Sequence, residues 1–97
     1  MLAGEAWQSY DPSWLVELAR EQLPEATWLS DALAACTRFC SYSDAMIYFV
    51  DPARPNEPGS AWQFDTCVEL ESPVHGWLVL DILKGGRVGG VEFVDNI

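Results

Sequence analysis

The apolar positions of this chain are densest near its end, where two β-prone runs flank a glycine-rich segment. Branched and aromatic residues dominate 77–83 and 91–94, and Lys84-Gly85-Gly86-Arg87 lies between them. Glycine readily adopts the positive φ angles that a tight hairpin turn needs. The pattern therefore predicts a β-hairpin, around which we expect the rest of the chain to be built.

A turn centred on Gly85 and Gly86 determines which residues of the two strands face each other. The predicted pairs are Ile82 with Gly89, Leu80 with Val91, and Leu78 with Phe93. Because successive strand residues point to opposite faces, these side chains share one face, which we predict to be the core side. The other face then carries Trp77, Val79, Asp81, Val88, Glu92 and Val94. A slip of one residue would exchange the two faces.

Two helices are predicted before the strands. Asp11-Pro12 is typical of a helix start, with Asp11 as the cap and Pro12 at the first helical position, and Pro24 ends this helix near Leu23. A second helix begins between Glu25 and Asp31. Its apolar residues recur at helical spacing: Trp28, Leu29, Ala32, Leu33, Cys36, Phe39 and Cys40. Such a stripe, about 100° wide, must be buried, so we expect this helix to face the core.

Two further strands are predicted between the helices and the hairpin. Residues 45–50 form a compact apolar run, 51–59 form a proline-rich loop, and 62–71 alternate in polarity. One side of the alternating stretch carries Trp62, Phe64, Thr66, Val68 and Leu70, and the other carries Gln63, Asp65, Cys67, Glu69 and Glu71. The predicted fold is α+β, a single domain over residues 1–97 with two N-terminal helices packed on a roughly four-stranded antiparallel β-meander.

Composition adds a strong negative charge to this picture. The 97 residues include 15 acidic and 5 basic side chains, a net charge of −10. Nucleic acid and anionic membranes repel such a protein, whereas a cationic partner is attracted to it. Residues 1–10 have no signal-peptide pattern, and no apolar run approaches the roughly 20 residues of a membrane span. We therefore expect a cytoplasmic protein with no nucleic-acid or membrane partner.

The cysteines and the only histidine, His75, offer little catalytic chemistry. Cys36, Cys40 and Cys67 suit a reducing compartment, and we interpret them as buried free thiols. A metal site formed by these cysteines and His75 is the alternative, although their spacing matches no known ligand pattern. Nucleophile-elbow and phosphate-loop motifs are absent, so we predict neither an enzyme nor a cofactor.

A carboxylate metal site is the catalytic alternative. Asp81 and Glu92 share a predicted strand face, and Asp65 or Glu69 could join them to hold magnesium in a hydrolase. The net charge opposes a phosphate substrate, so we favour the interpretation that Asp81 and Glu92 pair with Arg87 or Arg38, or are solvated at the sheet rim.

Short motifs between Tyr42 and Asp95 follow a characteristic order. They are Asp44-Ala45-Met46-Ile47-Tyr48, Val68-Glu69-Leu70, Leu80-Asp81-Ile82, Gly86-Arg87-Val88 and Gly90-Val91-Glu92. In this order they resemble a family of small bacterial domains of unknown function, in which an Asp-Ala-x-x-Tyr strand leads through an acidic strand to the hairpin. The resemblance implies a small α+β or β-meander fold and no particular reaction. In size, charge and aromatic content the chain also resembles bacterial toxin immunity proteins and antitoxins.

A binding protein accounts for the charge and the aromatic content together. Five tryptophans in 97 residues exceed what a core of this size needs, and aromatic side chains are common interface anchors. We expect an immunity protein or antitoxin-like inhibitor that occludes the active surface of a basic protein toxin, such as a nuclease. The predicted partner-binding residues are Asp51, Glu57, Trp62, Asp65, Glu69 and Glu71.

The alternative is a small structural or regulatory module that forms a homodimer. It would associate through the edge of the last β-strand, with Phe93, Val94 and Ile97 supplying the apolar contact.

Overall fold

The computed structural model describes residues 7–96, which form two α-helices and one six-stranded sheet. In chain order the elements are β1 (Gln8–Ser9), α1 (Ser13–Gln22), α2 (Thr27–Ala34), β2 (Arg38–Ser43), β3 (Met46–Tyr48), β4 (Phe64–Ser72), β5 (Gly76–Leu83) and β6 (Arg87–Phe93), followed by a 3₁₀ turn at Val94–Asn96. The α+β class is confirmed, but the sheet has six strands instead of about four.

Every neighbouring pair of strands is antiparallel, and the order across the sheet is β1-β2-β3-β6-β5-β4. The last three strands form a meander, and β3 pairs with the other side of β6. Because β6 is an interior strand, the prediction that a homodimer forms through its edge is wrong. Phe93 packs against the core, and Ile97 lies outside the described residues.

The hairpin register is confirmed over most of its length. Leu80 pairs with Val91 and Leu78 with Phe93, as predicted. Ile82, however, pairs with Val88 because the register shifts after Asp81, as in a β-bulge. Val88 therefore packs into the helix-covered core, which corrects its assignment to the opposite face.

The turn of this hairpin depends on glycine. Gly85 and Gly86 have φ angles of 91° and 81°, which side-chain-bearing residues rarely adopt. The amide of Gly86 donates a hydrogen bond to the carbonyl of Leu83 at 3.0 Å. This closes a turn of Lys84, Gly85 and Gly86 between the paired residues Leu83 and Arg87.

Helix α1 begins at Ser13, one residue later than predicted, so Pro12 is the N-cap instead of the first helical residue. The Asp11 carboxylate accepts a hydrogen bond from the amide of Ser13 at 3.0 Å, and the Pro12 carbonyl accepts one from Val16. At the other end, Gln22 is the last helical residue. Its side-chain amide bonds to both backbone groups of Glu71 on β4, accepting from the amide at 2.9 Å and donating to the carbonyl. The helix is thereby held against the outer strand of the sheet.

Helix α2 is shorter than predicted. It ends at Ala34, and residues 38–40, which the apolar spacing assigned to the helix, belong to strand β2 instead. The amide of Cys36 bonds to the carbonyl of Leu33 as the chain turns out of the helix. The aromatic residues Phe39 and Tyr42 favour an extended conformation, and pairing with β3 stabilises it.

One side of the sheet is covered by the two helices, and the main core lies between them. Its fully buried members include Leu15, Leu29, Leu33, Leu70, Leu78, Leu80 and Val91. Neither described helix is long and apolar enough to cross a lipid bilayer.

Removing the Leu80 side chain tests this core. Leu80 is fully buried and faces Val68 and Val91 on the neighbouring strands. We expect Leu80→Ala to lower the free energy of unfolding by about 2–5 kcal/mol, because it removes apolar contacts and leaves a cavity. Urea denaturation measures the change. Val74→Ala, at a position 81% exposed, should change it by about 0.5 kcal/mol or less. Equal losses would contradict the placement of Leu80.

Candidate protein-binding surface

The sheet side that faces away from the helices forms an acidic surface. Val68, Leu70, Leu78 and Leu80 belong to the helix-covered side, so the residues alternating with them point the other way. This acidic face comprises Met46, Tyr48, Cys67, Glu69, Glu71, Trp77, Val79, Asp81 and Glu92. Among these nine described positions there is no lysine or arginine.

The carboxylates of the acidic face are neighbours across strands. Val79 on β5 pairs with Glu69 on one side and with Glu92 on the other. Asp81 lies two residues farther along β5, and Glu71 is paired with Trp77. Asp81 is therefore the diagonal neighbour of both Glu69 and Glu92, and diagonal neighbours on one sheet face lie about 7–8 Å apart. Four negative charges therefore lie on three adjacent strands, and they create a potential that attracts cations.

Asp81 is a partly buried carboxylate with a raised pKa. Burial raises its pKa, and the negative charge of Glu92 raises it further. The pKa of the Tyr48 phenol is also raised, mainly by burial and then by the charge of Asp81. These three groups surround Gly90, which pairs with both Asp81 and Tyr48. A positively charged group placed beside Asp81 would offset the repulsion between the two carboxylates.

Gly90 is needed because β3 and β6 approach each other closely. A Cβ atom at this position would lie 2.6 Å from the carbonyl oxygen of Ile47 and 2.8 Å from the Met46 side chain. Both distances are shorter than a normal van der Waals contact. Because Gly90 has no side chain, Met46 and Tyr48 pack over this position, next to its strand partner Asp81.

The predicted metal-ligand sets are not brought together. Among residues 7–96, no group of three or more histidine, cysteine or acidic side chains is arranged to hold a metal ion. Cys36 is buried in the helix–sheet core, and burial raises the pKa of its thiol to about 12. Cys40 is buried on β2, whereas Cys67 is exposed on β4 at the far edge of the sheet. The prediction of buried thiols is therefore wrong for Cys67.

Two of the predicted partner-binding residues lie on the acidic face. Glu69 and Glu71 are exposed and project from β4 on the same side. Asp65 is exposed near the start of this strand, where the register shifts. Glu57 is exposed in the loop of residues 49–63, and its carbonyl accepts a hydrogen bond from the Gln63 side chain at 2.6 Å. Asp65 and Glu57 thus lie close to the end of the acidic face.

Asp51 is placed elsewhere. It follows Val50, whose amide bonds to the carbonyl of Gly89 on β6, at the other end of the 49–63 loop. Its carboxylate accepts a hydrogen bond from the amide of Ala53 at 2.9 Å and so organises a local turn. Asp51 is thus a loop residue near Gly89, as Trp62 is, and it is not one of the strand positions of the acidic face.

Trp62 was predicted to contact a partner, but its side chain is buried within the protein. The residue precedes β4 and is only 7% exposed. Its ring lies against Gly89, where an added Cβ would be 2.8 Å away, and meets the Tyr48 ring edge-on at 5.6 Å. Trp62 thus holds the loop over one end of the acidic face. The predicted strand began at Trp62, because Trp62 and Phe64 fit the alternation of polarity, whereas β4 begins two residues later, at Phe64.

Three exposed aromatic residues were not among the predicted contacts. Trp77 is 48% exposed on the acidic face, and Tyr42 and Phe64 lie at its margins with 70% and 40% exposure. The hairpin pattern already placed Trp77 on the same face as Asp81, so a signal was present in the sequence. Tyr42 had no such signal, because it lies between the predicted second helix, which was assigned as far as Cys40, and the strand predicted from Ala45.

Comparison with known proteins identifies no relative. No protein-family model matches the chain. Searches of curated proteins and of solved structures also found no significant match. The resemblance of residues 42–95 to small bacterial domains stays a prediction, and a functional assignment must be based on the acidic face.

The raised pKa of Asp81 predicts a pH-dependent cost to stability. An acid whose pKa is higher in the folded state favours folding below its unfolded pKa, near 3.9, and loses this contribution as pH rises through the folded pKa. Asp81→Asn should therefore stabilise the protein at pH 7 and have little effect at pH 3. Urea midpoints at the two pH values measure this difference. Glu69→Gln, at an exposed position of the same face, should show a smaller effect; equal effects would contradict the burial of Asp81.

The contrast between Trp62 and Trp77 can be tested by truncation. Trp62→Ala should lower the free energy of unfolding by about 3–5 kcal/mol, because a buried indole is lost. Trp77→Ala should lower it by about 1 kcal/mol or less, because this ring is half exposed. Thermal and urea denaturation measure both changes. The reverse order would show that Trp62 does not anchor the loop.

Proposed function

We propose that this protein binds a cationic protein toxin and neutralises it by covering the toxin's active surface with the acidic face. The proposal depends chiefly on one observation. Glu69, Glu71, Asp81 and Glu92 lie on one sheet face that the helices leave open. The nine positions named above include no lysine or arginine, and Arg87, at the hairpin end of the sheet, donates its hydrogen bond to the Ala61 carbonyl. A surface of this kind is complementary to a cluster of basic side chains.

The aromatic side chains supply the second requirement of a specific interface. Charges at an interface rim mainly accelerate association, whereas buried aromatic anchors contribute most of the binding energy. Trp77 lies beside Glu71 on the acidic face, and Tyr42 stands at its margin. Both side chains are exposed in the free protein and would be buried beneath a partner. Trp77 and Tyr42 therefore replace Trp62 as the proposed anchors.

Asp81 has a particular role in this proposal. In the free protein, burial and the neighbouring Glu92 both disfavour its ionised form. A lysine or arginine from the partner would offset both costs, so the pKa of Asp81 would fall on binding. Binding would thus relieve the electrostatic cost of ionised Asp81 in the free protein, and this relief would favour complex formation. A partner without a basic group beside Asp81 would not gain this contribution to binding.

A nuclease is the toxin class that this charge pattern fits best. Enzymes that act on nucleic acid contact the phosphate backbone with lysine and arginine. A face bearing four carboxylates would compete for the same basic side chains and block access of the substrate. We also propose a cytoplasmic location, where such an inhibitor would protect intracellular nucleic acid.

Affinity capture from native cells tests this function. The tagged protein should recover one basic protein in near-equal amount at low salt and lose it at high salt, because screening shortens the range of the attraction to about 8 Å or less. The double variant Glu69→Lys with Glu71→Lys should weaken binding of that protein by roughly tenfold or more. Surface plasmon resonance would measure the change, expected mainly in the association rate.

A matched control separates the acidic face from net charge. Glu25→Lys with Asp31→Lys changes the charge equally at two exposed positions outside the acidic face, and it should largely preserve binding. Equal loss in both double variants would mean that only total charge matters. Recovery of the protein alone at both salt concentrations would contradict the proposed inhibitor, and light scattering would then show whether it forms a homodimer.

A further inference from the structure

A groove between α1 and the β4–β5 turn is separate from the acidic face. Its volume is about 290 Å³, and Trp14, Leu18, Pro73 and Val74 supply apolar walls. Glu17 and Glu21, one helical turn apart on α1, lie at the same groove. We propose that this groove is a second binding site, which takes one long basic side chain, arginine or lysine, from a partner protein.

The Trp14 wall of the groove is held in place by contacts within the protein. The Trp14 ring packs against the ring of His75 at 5.1 Å and near that of Phe93 at 6.5 Å, and its indole nitrogen donates a hydrogen bond to the Tyr10 hydroxyl at 2.9 Å. These contacts fix the ring without filling the groove. A site that is already formed binds its ligand without the entropic cost of ordering the wall.

The opposite wall is also fixed. The Ser72 side chain is buried, and its hydroxyl oxygen accepts hydrogen bonds from the amides of Val74 at 3.2 Å and His75 at 3.0 Å. The Gln22 amide holds the adjoining residue, Glu71, against the end of α1. Hydrogen bonds therefore connect this wall to β4, and β4 to the end of α1.

The chemistry of the lining selects the occupant. Val74 is 81% exposed, so a large apolar surface stands open to solvent beside two carboxylates. Lysine and arginine combine an aliphatic stem with a charged head, and they bury the stem against apolar surface while the head stays near charge and water. The aromatic ring of Trp14 adds a further attraction for a cation. An acidic side chain would be repelled, and a purely apolar one would leave the two carboxylates without a counter-charge.

The site does not depend on the proposed inhibitor function. It requires a basic side chain but no particular partner, and Glu17 and Glu21 are outside the acidic face. Failure of one proposal therefore leaves the other intact. Small probes can test the groove alone on the full chain.

The experiment is an NMR titration of the ¹⁵N-labelled protein with n-butylguanidinium chloride at constant ionic strength. We expect saturable shifts at the Trp14 indole and at the amides of residues 17–21 and 73–75, with a dissociation constant on the order of 1–10 mM for so small a ligand. Guanidinium chloride, which has the charge without the stem, and n-butanol, which has the stem without the charge, should each bind at least about fivefold more weakly.

Substitutions test whether Glu17 and Glu21 provide the attraction for the cation. Glu17→Gln with Glu21→Gln should weaken butylguanidinium binding about five- to tenfold, whereas Glu25→Gln with Asp31→Asn, which removes the same charge elsewhere, should leave it unchanged. The dispersion of the amide spectrum reports whether each variant is folded, and Glu17→Asp with Glu21→Asp serves as a second, charge-preserving variant that should retain binding. Equal binding of n-butanol, or equal weakening by the two neutral pairs, would overturn the proposed site.

Discussion

The burial of one sheet face beneath two short helices is the constraint on which the rest of this structure depends. Helices α1 and α2 have 10 and 8 residues, too few to be stable alone in water. Packing Leu15 and Leu29 against Leu78 and Leu80 stabilises the helices and the sheet together. Strand alternation then determines the other face, since each residue next to a core residue must point outward. The acidic face is thus a geometric consequence of the core.

Charge repulsion and burial at Asp81 destabilise the folded protein, and the packing of the core must offset this cost. Asp81 is held partly away from water beside Glu92, and Gly90 permits this because a side chain there would push β3 and β6 apart. A protein selected only for stability would place an apolar or amide side chain at Asp81. The carboxylate is understandable if its ionised form is favoured in a complex. Stability of the free protein and complementarity to a cationic partner therefore oppose each other at this position.

The sequence predicted the parts of the fold that depend on local pattern. The pairs Leu80 with Val91 and Leu78 with Phe93 follow from strand alternation and the glycine turn, and Glu69 and Glu71 share a face for the same reason. Strand β2 was missed because the spacing of its apolar residues also fits a helix, and only pairing with β3 decides between them. The burial of Trp62 was equally unpredictable, because it depends on Gly89, a residue far along the chain.

The hydrogen bonds between Gln22 and Glu71 have a consequence for solubility in concentrated solution. Strand β4 is the longest strand and an outer one, and an unpaired strand edge invites pairing with another molecule. The Gln22 side chain occupies both backbone groups of Glu71, as a neighbouring strand would. The charges of Asp65 and Glu69 oppose the approach of a second, identical edge. Both features oppose sheet growth from molecule to molecule along this edge.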